Sequence, residues 1–189
     1  MAPVVRAAAR GELPAWAEVS AERFAHIRRV ADLLGSWADS LRLSPAERER
    51  WVAAGWLHDA LRDAPPEALR AQLPAEFRSL DGPLLHGPAV AERLGKVVDA
   101  RLVNAIRYHT VGHPSLDRLG RALYLADFLE PGRDFDNDWR AALRERMPTN
   151  LTAVLIEVVA ARLRNLVERR MPIRPESAEF WNAVVRESR

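Results

Sequence analysis

Cysteine is absent from the 189 residues, so the chain has no disulfide framework and no thiolate metal site. Any metal it holds must sit on nitrogen and oxygen ligands. Lysine is nearly absent too: Lys96 stands alone among 28 basic residues, the rest being arginine, a bias that a GC-rich genome produces without functional selection. The 26 acidic residues almost balance them, leaving a net charge of +2 and little field to attract nucleic acid. No stretch approaches the roughly 20 uncharged apolar residues of a membrane span. The opening, MAPVVRAAARGELPAWAEVS, lacks the apolar core of a signal peptide. The expectation is a cytoplasmic protein with neither membrane nor nucleic-acid partners. Runs of alternating apolar residues bounded by hairpin turns are also missing, which leaves no basis for a sheet. With 48% hydrophobic residues there is enough material for one core, and the expected fold is all-α, a single compact helical bundle.

Helical signals run through the chain. Ser20 is placed to cap a first helix in which Phe24, Ile27, Val30, Ala31 and Leu34 form one apolar face, with His26 beside it. Ser44, Pro45 and Glu47 form a capping box for a second helix that carries Trp51, Trp56, His58 and Asp59 and is expected to stop near Ala64, before Pro65 and Pro66. Further helices are expected from about His86 to Leu94, from Gly95 to His109, and from Ser115 to Leu129, where Pro131 and Gly132 stop the chain. Thr149 to Arg170 and Pro175 to Arg186 supply two amphipathic helices without histidine. Their apolar residues Val154, Leu155, Val158 and Val159 could serve the core or a homodimer equally well. Residues 1–19, with Gly11 and Pro14, read as a flexible arm or short capping piece ahead of a domain spanning 20–189.

Five histidines occur in all. His58 is followed at once by Asp59, at the end of the small and apolar run Ala53-Ala54-Gly55-Trp56-Leu57. Asp127 lies in a second apolar run, ALYLADFLE. A carboxylate buried in either place is costly unless a cation or hydrogen bonds compensate it, and a metal would compensate both. Imidazole with carboxylate suits iron, manganese, zinc or nickel rather than magnesium or calcium, and six candidate ligands exceed the four of a closed structural zinc site. Each histidine taken singly is more often a hydrogen-bonded core residue than a ligand. His113 lies in a Gly-His-Pro loop, as a loop residue or at most a substrate contact.

A first-helix histidine, an adjacent His-Asp, later histidines and a distal aspartate resemble the HD superfamily of metal-dependent phosphohydrolases. The strings LHDALRDAP, LLHGPAVAERL, NAIRYHTVG and LYLADFLEPGR resemble, in order, those of the YqeK family of bacterial symmetrical diadenosine tetraphosphate hydrolases, from His26 to about Arg133. That resemblance implies an HD-domain bundle with motifs in 26–133 and C-terminal core helices in 149–188. It also implies two divalent transition-metal ions, iron being the metal expected and manganese an alternative. His26, His58, Asp59 and Asp127 would hold one ion and His86 and His109 the other, with Asp59 bridging. Arg62 stands where the family phrase commonly has lysine, and His113 where it often has arginine.

The expected reaction is cleavage of diadenosine tetraphosphate at its middle bridge to give two ADP, with two cations holding a hydroxide between them and sharing phosphate oxygens. Arg62 and Arg133 are suited to polyphosphate oxygens. Asp63, one turn beyond Asp59, is a candidate to protonate the leaving phosphate or orient water. Thr110 and Gly112 could meet phosphate or base. Another nucleotide phosphatase or phosphodiesterase on the same site is the enzymatic rival, since the fold alone cannot choose. A nucleotide-responsive binding protein with little turnover is the rival of another class. The six tryptophans are read as core.

Overall fold

The computed structural model describes residues 1–188, which form ten α-helices and two short 3-10 turns, with no strand among the described residues. In chain order the helices are α1 (Pro3–Ala9), α2 (Ala21–Ser40), α3 (Pro45–Leu57), α4 (Pro66–Gln72), α5 (His86–Leu94), α6 (Ala100–Tyr108), α7 (Arg118–Leu129), α8 (Asn137–Arg146), α9 (Leu151–Glu168) and α10 (Pro175–Glu187). No described helix is long and apolar enough to cross a membrane.

Helix starts follow the expected caps. The Ser20 hydroxyl accepts from Arg23 N and that of Ser44 from Glu47 N, while Asp117 and Asn150 cap α7 and α9 in the same way. Glu47 does not complete the capping box, because its carboxylate pairs with Arg50 instead. The α2 face buries Ile27, Val30, Ala31 and Leu34, but Phe24 is 40% exposed and meets the Trp56 ring from outside. Phe24 lies one turn from the solvent-facing start of α2, where the apolar stripe has already left the core.

Packing centres on α2, α3, α6 and α7. Gly55 allows the tightest approach: a Cβ there would lie 2.5 Å from Ala31 Cα, so α2 and α3 touch backbone to backbone just before His58. Helix α3 ends at Leu57 rather than near Ala64. The His58 ring takes the Gly55 carbonyl that the Asp59 amide would use in a continuing helix, and Ala60, Arg62 and Ala64 then bond only three residues back. The dyad therefore lies on a chain of tight turns. Glu18 flanks those turns, its amide bound to Ala60 O and its carbonyl to Asp63 N. Upstream, α1 packs on α3 through buried Val5 and Ala8.

Val154, Leu155, Val158 and Val159 are all buried, so that face of α9 is spent on the core and offers no dimer surface. Trp51 and Trp56 are likewise buried. Helix α8 has no counterpart in the sequence expectation. It carries Arg140, fully buried, whose guanidinium donates to the carbonyls of Phe128, Glu130, Arg133 and Phe135, while Arg144 donates to Leu129 O. The unpaired carbonyls at the end of α7 are thus closed by arginines from the next helix. Burial lowers the Arg140 pKa to about 10, which leaves it charged at neutral pH.

Candidate metal centre

Five helices and one turn converge on the buried Asp59 carboxylate. His26 comes from the second turn of α2, His58 and Asp59 from the end of α3 and the turn after it, His86 from the first residue of α5, and His109 from the end of α6; Asp127 comes from the last turn of α7. The two oxygens of Asp59 face different groups. Oδ1 lies 3.0 Å from His86 Nε2 and 3.3 Å from His109 Nε2; Oδ2 lies 3.6 Å from His58 Nε2 and 3.7 Å from His26 Nε2. Asp127 Oδ1 is 3.2 Å from His26 Nε2. All six sequence candidates for metal ligation are therefore together: five form two sets that share Asp59, and Asp127 adjoins the first set through His26.

The rings are oriented from behind. His58 Nδ1 meets Gly55 O at 2.7 Å, His86 Nδ1 meets Pro83 O at 2.9 Å, and His109 Nδ1 meets Ile106 O at 2.8 Å. A carbonyl only accepts, so each Nδ1 carries the proton and each neutral ring turns a bare Nε2 inward. Burial pushes the His58 pKa down to about 4, and it lowers that of His86 against the opposing pull of the Asp59 carboxylate. The Nε2 atoms of His86 and His109 then face each other at 3.1 Å, lone pair to lone pair, beside a carboxylate oxygen. The Nε2 atoms of His26 and His58 are buried with no hydrogen-bond partner. Acceptors facing acceptors in a low dielectric repel, and a cation among them removes the repulsion.

The spacing suits that cation. Ligands about 2.1 Å from a metal lie about 3.0 to 3.4 Å apart in octahedral or tetrahedral arrangements, and the donor distances here run from 3.0 to 3.7 Å. The donor set is imidazole and carboxylate alone, a chemistry that suits a divalent transition metal.

A second ring of residues, of which the sequence singles out Arg133 alone, positions the first. Glu130, 1% exposed, accepts from His26 Nδ1 at 3.1 Å, Arg29 Nε at 2.5 Å and Gly132 N at 2.6 Å. Burial alone would raise its pKa, but the bonds from His26, Arg29 and Gly132 outweigh burial and bring it to about 2. Burial opposes charge on His26 as well, and the carboxylates of Asp127 and Glu130 on either side outweigh it and raise its pKa. Arg23 Nη1 lies 2.8 Å from Asp59 Oδ2, and Arg133 Nη2 lies 2.8 Å from Asp127 Oδ1. The adjacency of Glu130 to Asp127 in ALYLADFLE is the one local signal for it; Arg23 and Arg29 have none, because surface arginines look the same in sequence.

The remaining candidates divide. Arg62 is half-buried in the turns just after Asp59, and Thr110 Oγ1 is 3.1 Å from His109 Nε2. Asp63 is engaged elsewhere, since its Oδ2 accepts from Ser20 N at 2.7 Å and holds the start of α2, a bond that lowers its pKa against the effect of burial. Gly112 is buried with its amide on Tyr108 O. Its φ of +75° and the Phe180 ring crowding the place a Cβ would take make it a packing glycine rather than a phosphate contact. His113 stacks on Tyr108 at 4.2 Å and bonds Ser115, away from the cluster. A surface cleft of about 670 Å³ between α1, α2 and α3 contains none of these residues, so concavity alone would have chosen the wrong place.

A profile of the HD domain family matches residues 23–132, more than half of the chain, and takes in every clustered residue. The chain belongs to the HD domain family. Within this HD protein, the matched segment ends just before Arg133, and α8 to α10 lie beyond it. The chain is similar to a symmetrical bis(5'-nucleosyl)-tetraphosphatase of Bacillus subtilis, 27% identical over 168 residues, which cover 87% of this chain and 81% of that one. A relative of the same name from Halalkalibacterium halodurans is 26% identical over 80% of this chain and 84% of its own length. Among solved structures, a predicted HD superfamily hydrolase involved in NAD metabolism from Clostridium acetobutylicum superposes with a TM-score of 0.77 at 23% identity, covering 89% and 92% of the two chains, and shows the shared all-helical fold.

Proposed function

We propose that this HD protein is a metal-dependent phosphohydrolase that cleaves diadenosine tetraphosphate symmetrically to two ADP, in the cytoplasm and with iron as its metal, manganese being the alternative. The observation that carries the reading is the convergence of four imidazole Nε2 atoms on both oxygens of one buried carboxylate, with each Nδ1 held by an oxygen acceptor on the far side. The names of the tetraphosphatase relatives supply the substrate class. His26, His58, Asp127 and Asp59 Oδ2 would hold one ion, and His86, His109 and Asp59 Oδ1 the second. Bound there, such ions supply a nucleophile from water at neutral pH and neutralise charge on phosphate oxygens.

The protein's own groups do the rest. Arg62 and Arg133 border the two halves and suit the oxygens of the flanking phosphates, Arg133 while steadying Asp127. Thr110 offers a hydroxyl next to His109. Asp63, ionised and bonded to Ser20 N, acts by fixing the α2 start and hence Arg23. It need not protonate the leaving group, because a phosphate whose own pKa is about 6 leaves readily as an anion. The symmetrical cut also fits a substrate with equivalent halves.

The test is a product assay on anaerobically purified protein loaded with iron or manganese, incubated with diadenosine tetraphosphate and resolved by anion exchange. ADP as sole product, lost together with the metal in Asp59→Ala, is expected. AMP plus ATP would overturn the symmetrical mode, and no product from metal-loaded protein would overturn the substrate.

A further inference from the structure

Arg162 reaches the metal centre from α9, outside the segment that the HD profile matches. Its guanidinium lies over the Tyr124 ring, 4.6 Å from the centroid, with Phe128 at 5.8 Å. Nη2 donates to Thr110 O at 2.6 Å, one residue after His109, and Nη1 stands 4.0 Å from Asp127 Oδ2. The cation therefore spans the two ligand sets on one side, between Asp127 and the His109 turn.

Its charge is little used there. Arg133 already pairs with Asp127 at 2.8 Å, Arg29 with Glu130, and Arg23 with Asp59, while Arg140 is sealed among carbonyls. Arg162 commits one of its five N–H groups to a neutral carbonyl and is 24% exposed. Aromatic stacking holds a guanidinium in place without cancelling its charge. A rigid, partly exposed, under-neutralised cation beside a cluster built for phosphoryl chemistry is equipped to take a phosphate oxygen.

We infer that Arg162 is a substrate ligand: it binds a non-bridging oxygen of a phosphoryl group flanking the one attacked, so that the C-terminal helices help the site prefer a polyphosphate to a single phosphate ester. The inference rests on the phosphohydrolase reading. Metal-loaded wild type, Arg162→Gln and Arg162→Lys are compared by metal content, by calorimetric binding of ADP, and by turnover of bis(4-nitrophenyl) phosphate and of diadenosine tetraphosphate. Arg162→Gln is expected to keep its metal and its rate on the single-phosphorus diester within about twofold, while ADP binding and KM for the tetraphosphate worsen about tenfold, with partial recovery in Arg162→Lys. Loss of metal, or an equal loss on both substrates, would overturn the inference in favour of a purely positioning role, as would unchanged ADP binding. Arg162-dependent ADP binding by a wild type that does not cut the tetraphosphate would support the ligand role while sinking the proposed reaction.

Discussion

Replacing Glu130 by glutamine removes one charge from the site and leaves its shape. Three consequences follow from the bonds that Glu130 accepts. His26 loses the anion behind its Nδ1, so its Nε2 becomes a weaker and less fixed donor; losses of this type cost about 10–100-fold in metal affinity. Arg29 loses its ionic partner, and the new NH2 group must face either His26 Nδ1 or both Arg29 Nε and Gly132 N, donor to donor. Hydrogen bonds to charged groups contribute about 1.5–3 kcal/mol, so the metal-free variant should be about 2–3 kcal/mol less stable. The pH dependence has a definite sign. The carboxyl sits at about 2 in the folded protein and near 4.3 when unfolded. A depressed folded value stabilises the protein above the unfolded pKa, and that stabilisation is lost as the pH falls toward 2. Urea unfolding of both proteins should show a gap that narrows as the pH falls below about 5, and competitive chelation should show one of two metal-binding steps weakened. A gap independent of pH between 7 and 3, or unaltered metal affinity in the folded variant, would refute the positioning role assigned to Glu130.

Gly55→Ala should destabilise by about 3 kcal/mol in urea unfolding, since its Cβ would lie 2.5 Å from the Ala31 backbone where α2 and α3 meet. Arg140→Leu should cost about 3–5 kcal/mol by the same measurement, because the carbonyls closing α7 lose their donors in a buried place. Asp63→Asn should keep turnover within about tenfold and leave the pH–rate profile in place. A drop of 10³ or more with a lost limb would make it a proton donor after all. His113→Ala should leave metal content unchanged by elemental analysis, its ring being engaged with Tyr108 and Ser115.

The sequence disclosed what repeats locally. Caps at Ser20 and Ser44, the apolar periodicity of α2, and the ordered histidines and aspartates could be read because each depends on neighbours within a turn or two. Helix α8 could not. Its sequence, NDWRAALRER, is mostly polar, and what fixes it is Arg140 plugging the end of α7 and Leu143 entering the core. Glu130, Arg23 and Arg162 escaped for the same reason, since their partners lie 104, 36 and 52 residues away. The early end of α3 also escaped: proline marks the latest point at which a helix can continue, whereas here a histidine ring claimed a carbonyl well before it. Gly112 was misread in the opposite direction, because an αL turn under Phe180 and a phosphate-binding turn use the same residue.

The local device behind the metal centre is simple enough to explain why so diffuse a motif works. His58, His86 and His109 each lie at a helix boundary, and each ring is held by the carbonyl three residues earlier. At the C-termini of α3 and α6 such carbonyls lack main-chain donors, so the His58 and His109 rings both close their helices and fix their own tautomers, while His86 does the same with Pro83 O in the 3-10 turn ahead of α5. Orientation is thereby settled within one turn of each histidine, and the tertiary fold has only to bring the helix ends together. Gly55 does so for α2 and α3. Gly87 does so for α5 and α6, where a Cβ would come 2.9 Å from Ile106 O, the carbonyl that holds His109. Gly87→Ala should then push His86 away from His109 and weaken the second ion while sparing His26 and His58. Equal weakening of both ions would mean that the two sets are not independently assembled.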